Sequence, residues 1–122
     1  MELIRGIHNL RERHRGCVVT IGNYDGVHRG HQHMIAAVRA KATELGVPAV
    51  VVTFEPTPRE FFEGPAAPSR LTRLREKLEA LAEYGVDRVV VLRFDRRMQG
   101  LSADEFVERL LVNGLGARHM VV

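Results

Sequence analysis

Tryptophan is missing from this chain, tyrosine occurs twice, cysteine occurs once, and no apolar run is long. Each scarcity excludes a class of protein. The single cysteine, Cys17, cannot form an internal disulfide, and a thiol that opens an apolar run behaves as a small hydrophobe, so a reducing, cytoplasmic setting is expected. The longest apolar stretches, such as residues 49–52 and 89–92, fall far short of the roughly 20 residues that cross a bilayer, so no membrane partner is expected. Charge of one sign is scarce too, since 18 Lys and Arg against 15 Asp and Glu leave a net charge of only +3. That mild excess suits an anionic small molecule. Without a basic stripe interleaved with stacking aromatics, nucleic acid is not expected as a partner.

What is present is the composition of an ordinary globular domain, 45% hydrophobic and 27% charged over 122 residues, enough for one core and one domain. After an irregular, basic opening over residues 1–16, short β-branched runs alternate with helical periodicity. Strands are expected at Cys17–Ile21, Ala49–Phe54 and 88–94, with a fourth beginning at 119–122. Their consecutive apolar residues suit strands covered on both faces. Between them, Met34, Ile35, Val38, Ala42 and Leu45 recur at helical spacing, as do Leu71, Leu74, Leu78 and Leu81, with Gly46 and Gly85 placed as C-terminal stops. A third helix is expected over 103–113 with Phe106, Val107, Leu110 and Leu111 inward, started by a capping box of Ser102 and Glu105. Residues 55–68 read as a loop longer than a βα connection needs, and such loops usually carry function. The pattern predicts an α/β fold, a Rossmann-like open parallel sheet with helices on both faces, in which ligands bind beyond the carboxyl ends of the strands.

One such end carries Gly22-Asn-Tyr-Asp-Gly-Val-His-Arg-Gly-His31, a strand-to-helix junction with three glycines and two histidines. Glycines allow the backbone to turn tightly and approach a ligand, and the first amides of the helix point unbonded N–H groups and a positive dipole end at whatever binds there. An anion is the natural occupant. His28 and His31, three positions apart, share one side of a first helical turn and can both face it. No Gly-Lys-Ser/Thr follows, which excludes a Walker A loop, and the glycine spacing of four does not match Gly-x-Gly-x-x-Gly. His33 completes a group of three nearby histidines, but it projects away from His31 on a helix and no carboxylate or thiol completes a tetrahedral set, so no metal site is expected there. The arginines at 70, 73, 75, 93, 96 and 97 read as solvated surface charge.

These residues resemble the signature of the nucleotidylyltransferase superfamily, whose His-x-Gly-His motif contacts nucleotide phosphates. The form seen over residues 22–32 looks like that of the bacterial bifunctional riboflavin kinase/FMN adenylyltransferase (FAD synthetase) family. Val52-Thr-Phe-Glu-Pro-Thr-Pro-Arg-Glu-Phe-Phe62 and Leu101-Ser-Ala-Asp-Glu-Phe-Val107 are similar to two further segments of that family, so the likeness covers nearly the whole chain. It implies that AMP passes from ATP to FMN, giving FAD and pyrophosphate with Mg²⁺ on the phosphates. His28 and His31 would be the catalytic donors. Gly22, Asn23, Tyr24, Asp25, Gly26 and Gly30 would line the ATP phosphates, with Asp25 equally suited to plain turn chemistry. Thr57, Pro58 and Phe62 would line the flavin, with Phe62 stacking on its ring while Phe61 and Phe62 also suit anchoring to the core.

The family usually has histidine where this chain has Thr57, whose hydroxyl keeps hydrogen-bonding capacity. The resemblance further implies that residues 1–122 are the N-terminal part of an FMN adenylyltransferase domain, ending before a loop with an asparagine, a later Ser/Thr/Arg motif and a riboflavin kinase module expected downstream. Two other functions suit the same residues: a transferase for another phosphorylated acceptor, and a non-catalytic nucleotide- or flavin-binding module. Nothing in the sequence sets an oligomeric state.

Overall fold

A computed structural model of the chain describes residues 1–24, 29–66 and 73–122, with the backbone alone at Arg29. Five strands, β1 (Glu2–Arg5), β2 (Cys17–Ile21), β3 (Ala49–Phe54), β4 (Arg88–Leu92) and β5 (Ala117–Met120), form one parallel sheet in the order β1-β4-β3-β2-β5. The helices are α1 (Arg29–Leu45), α2 (Pro58–Glu63), α3 (Leu74–Glu83), α4 (Arg96–Gln99) and α5 (Ala103–Phe106), the last continuing as a π-helix over Val107–Gly114. The expected α/β fold is therefore present.

Alternation along each strand sorts the core. Val50 and Val52 of β3, Val90 and Leu92 of β4 and Val19 of β2 face Leu110, Leu111 and Leu115 on one side. Val51, Val89 and Val91 face Ile35 and Leu81, while Val18 and Ala49 face Val38 and Ala42, on the other. The apolar stripes of α1 and α3 thus cover one face and the π-helical segment covers its reverse, which is why the strands are apolar on consecutive residues. Gly46 (φ +68°) stops α1 and Gly85 (φ +89°) stops α3. Each is followed by a valine whose N–H returns five residues to the helix, Val47 to Ala42 and Val86 to Leu81.

Several expectations need correction. The opening is not wholly irregular, since Glu2–Arg5 pairs with β4 and two short 3₁₀ turns, Ile7–Asn9 and Glu12–His14, follow. The third expected strand stops at Leu92, and the last begins two residues earlier than expected, at Ala117. Residues 55–68 are not all loop: Thr57 and Glu60 form a capping box around Pro58, and α2 grows from it. Short α4 was not expected. Val107 is 44% exposed rather than inward. The cause is the wider π-helical turn, seen in the Leu115 N–H bond to Leu110 five residues back at 2.8 Å, which keeps Leu110 and Leu111 inward and rotates Val107 out.

The edge strand β1 is fastened by charge as much as by packing. Glu2 lies opposite Arg88 in register, and its carboxylate accepts hydrogen bonds from Arg88 (3.1 Å), Arg13 and His14 (3.2 Å). His14 is buried, and its Nδ1 accepts the Arg11 N–H at 2.8 Å, so Nε2 carries the proton given to Glu2. The Arg13 bond first, then that of His14, lowers the Glu2 carboxyl from 4.5 to about 2. A carboxyl lowered on folding stabilises the fold above its unfolded value, and that contribution disappears as pH falls toward the folded one. Relative to Glu2→Gln, the wild type is expected to lose stability between pH 4.5 and about 2, with faster amide exchange at Ile4 and Arg5. Parallel pH profiles for the two proteins over that window would refute the clamp.

Candidate functional site

All five strands point their carboxyl ends to one side of the sheet. The chain lays β3 and then β4 on one side of β2, then crosses back to lay β5 on the other side of β2. The order therefore reverses at β2, and in open α/β sheets the ligand crevice lies beyond such a reversal. The residues that emerge there are Gly22, Asn23 and Tyr24, followed after the undescribed 25–28 by α1. Asp25, Gly26 and His28, three of the expected site residues, lie outside the described residues.

Tyr24 organises the described part. It adopts φ +52°, a region that tyrosine rarely enters, yet its ring is 2% exposed. The phenol donates to Thr20 Oγ1 at 3.2 Å and lies 3.4 Å from Met34 Sδ. Burial pushes the phenol pKa up and the Thr20 bond opposes it only in part, so the group stays a protonated donor. Gly22 makes room for this ring, because a Cβ at Gly22 would sit 2.8 Å from Tyr24 Cε2. The ring in turn braces His31, half-buried in the first turn of α1, with centroids 4.8 Å apart and a tilt of 49°. Gly30 precedes it on the exposed face, and no acidic side chain occupies that first turn. The positive end of this 17-residue helix favours an anion by about 0.3–1 kcal/mol, an effect that the imidazole can supplement.

Lys77 was not expected in the site. It belongs to α3 and is 0% exposed, with Nζ 3.3 Å from Thr53 Oγ1, and that hydroxyl donates to the Asn23 carbonyl at 3.0 Å. Its position between Leu74 and Leu81, on the apolar face of α3, was the available signal. A lysine in such a stripe ordinarily reaches water with its ammonium, and this one does not.

Beside the β2 end, the ends of β3 and β4 gather all five phenylalanines of the chain. Phe94 meets Phe54, Phe61 and Phe62 at 6.0, 5.5 and 5.7 Å between centroids, and Phe54 meets Phe106 at 6.5 Å. Phe54, Phe62, Phe94, Met98, Leu101 and Phe106 line a cavity of about 390 Å³. Phe61 is half-buried, whereas Phe62 is 61% exposed at the cavity rim and open to a ligand. Thr57 and Pro58 begin α2 nearby. The Thr57 hydroxyl accepts the Glu60 N–H at 3.2 Å, so its oxygen is engaged in capping.

The structure therefore brings Gly22, Tyr24, Gly30 and His31 together around the start of α1, and sets Thr57, Pro58 and Phe62 in a second group near the aromatic cavity. Cys17 takes no part, since burial raises its thiol to about 11 and keeps it protonated. Arg73, Arg75, Arg93, Arg96 and Arg97 are exposed as expected, and Arg70 lies outside the described residues. Among the described residues no helix is long and apolar enough to cross a membrane.

Residues 10–122 match the family model described as FAD synthetase. The chain is 59% identical to the bifunctional riboflavin kinase/FMN adenylyltransferase of Pseudomonas fluorescens and 50% identical to that of Escherichia coli (strain K12), each over 100% of this chain and 39% of the relative. It thus spans about two-fifths of the length of these relatives. The crystal structure of a macrolide-efflux protein from Streptococcus pneumoniae superposes with a TM-score of 0.86 at 25% identity, over 99% of this chain and 40% of that one.

The packing of Tyr24 sets two expected stability changes. Gly22→Ala places a methyl group against a ring with nowhere to go and is expected to cost about 1–3 kcal/mol, while Tyr24→Phe, which loses only the hydroxyl, costs about 0.5–1.5 kcal/mol. Urea unfolding measures both. A neutral Gly22→Ala with its Tyr24–His31 ring contact intact by NMR would show that the glycine is not needed for the close approach.

Proposed function

The chain belongs to the FAD synthetase family, and from that membership we propose that it forms the N-terminal part of an FMN adenylyltransferase domain, which transfers AMP from ATP to FMN to give FAD and pyrophosphate. The observation that carries the reading is the pairing of two unlike half-sites at neighbouring strand ends. His31 in the first turn of α1, where no acidic side chain lies, suits phosphates, and an aromatic cavity rimmed by Phe62 suits a flat, apolar ring. The relatives' names join this activity to a riboflavin kinase, which we place in the remainder of the protein.

In the reaction a phosphate oxygen of FMN attacks the α-phosphorus of ATP. The new P–O bond forms as the α–β bridging bond breaks, and the electron pair leaves with pyrophosphate. Little proton chemistry is needed, because the second pKa of a phosphate monoester is near about 6 and the nucleophile is largely dianionic at neutral pH. Catalysis then consists of alignment, worth up to about 7–11 kcal/mol, and of donors aimed at the charge that builds on the leaving group. His31 and the amides after Gly30 supply donors from α1, and His28 supplies a second imidazole from the preceding segment. A Mg²⁺ ion carried on the nucleotide's phosphates would neutralise charge there. On the acceptor side Phe62 stacks on the flavin ring, with Pro58 and the capped end at Thr57 flanking it.

His28→Ala and His31→Ala are each expected to lower FAD formation by the whole gene product about 10²–10³-fold, with a smaller change in ATP affinity. Quenching of flavin fluorescence should be lost in Phe62→Ala and kept in Phe61→Ala. Normal turnover in both histidine variants would refute the phosphate assignment, and binding of ATP and FMN with no FAD formed by the wild type would leave a binding module.

A further inference from the structure

We propose that Lys77 is a positioning residue whose buried ammonium, acting through the Thr53 hydroxyl and the Asn23 carbonyl, holds the phosphate half of the site in register with its aromatic half. For its kinetic consequences this rests on the adenylyltransferase reading; for its structural ones it does not.

The direction of the relay follows from donor chemistry. An ammonium only donates, so Thr53 Oγ1 accepts from Lys77 at 3.3 Å, and the single hydroxyl proton goes to the Asn23 carbonyl at 3.0 Å. Both Lys77 and Thr53 are 0% exposed, so water does not substitute for either bond. Two members of the relay adjoin residues of the site. Asn23 immediately precedes Tyr24, whose ring packs on His31, and Thr53 immediately precedes Phe54, whose ring lines the aromatic cavity. Thr53 also sits beside the bond from the Gly22 N–H to the Val52 carbonyl, at 3.0 Å, that ties the ends of β2 and β3. Three elements, α3, β3 and the exit from β2, therefore meet at one hydroxyl.

Packing alone does not explain a cation here. Leu74, Leu78 and Leu81 already make α3 an apolar stripe, and an unbranched methionine at position 77 would fill similar space without taking a charge out of water. Replacing buried ionic groups by apolar ones is often neutral or stabilising. A lysine in this place is therefore better accounted for by what it holds than by the stability it adds.

The test uses the whole gene product with Lys77→Met, Thr53→Val and their combination. Thr53→Val keeps the shape of a buried residue, so it decides the matter even where Lys77→Met fails to fold. Each single variant is expected to speed amide exchange at residues 22–24 and to lower turnover at least about tenfold with less change in KM for ATP, the pattern of misplaced donors. The double variant should fall no further than the worse single one, because both cut the same relay. Thr53→Ser, which restores the hydroxyl, should recover most of the loss. Unchanged exchange in Thr53→Val, unchanged turnover, or additive losses in the double variant would overturn the proposal. If the wild type makes no FAD, the adenylyltransferase reading fails by itself. Lys77 is then judged on exchange and on pyrophosphate binding, which is expected to weaken about tenfold in Thr53→Val under the relay and to stay equal without it.

Discussion

A parallel sheet covered on both faces can satisfy its backbone only through neighbouring strands, and it offers its interior side chains no water on either side. Val18, Val19, Val50, Val51, Val52, Val89 and Val90 are all 0% exposed. That burial fixes the register of β2, β3 and β4, because slipping one residue would exchange the two faces of each strand. It also leaves almost no place for polar chemistry within the sheet. Whatever the molecule does must be done where the strands end, and parallel pairing collects all those ends on one side. The return of the chain from β4 to β5 then selects β2 among them.

The surroundings of the β2 end follow from this frame. The exit from β2 is bonded to β3 at Val52 and to Thr53 through Asn23, so it starts from a fixed position. Tyr24 occupies a left-handed conformation there, which costs of order 1–3 kcal/mol and persists only where surroundings over-determine it. Here burial of the ring, the bond to Thr20 and the space left by Gly22 do so. The same ring then orients His31. A motif that looks like a flexible glycine-rich turn is thus held, over its described part, by a tyrosine packed into the core.

Much of this was legible in the sequence, for physical reasons that also mark where legibility ends. The strands β2, β3 and β4 and the helix α1 announce themselves because their signals are local: runs of valine, a 3.6-residue stripe, a glycine stop. The placing of Gly22, Gly30 and His31 at a strand-to-helix junction was legible for the same reason, since the junction pattern is contiguous. β1 was not, because Glu-Leu-Ile-Arg carries little pattern of its own and becomes a strand through pairing with β4, more than 80 residues away. Lys77 was hidden because a lysine in a helix is read as exposed unless its position on the apolar face is weighed above its charge. Phe94 gives no local hint that it meets Phe54, Phe61 and Phe62, and Phe106 gives none that it meets Phe54. Val107 was misplaced because the π-helical turn changes the period on which inward positions are counted.

Thr57 shows how a single departure from the usual family pattern acts through structure. The resemblance puts a histidine where this chain has threonine, and a direct reading would assign the difference to a lost ligand contact. The hydroxyl, however, accepts the Glu60 N–H while the Glu60 carboxylate accepts the Thr57 N–H at 2.9 Å, closing a capping box on the first turn of α2. Threonine ranks among the favoured N-cap residues, and truncating such a cap typically costs about 1 kcal/mol. α2 is only six residues long and carries both Phe61 and Phe62, so its start fixes where those rings stand. The threonine therefore acts on the aromatic rim by holding the helix that presents it. Its contribution to flavin recognition, in the proposed reaction, is the placement of Phe62 against Phe94 rather than a bond of its own.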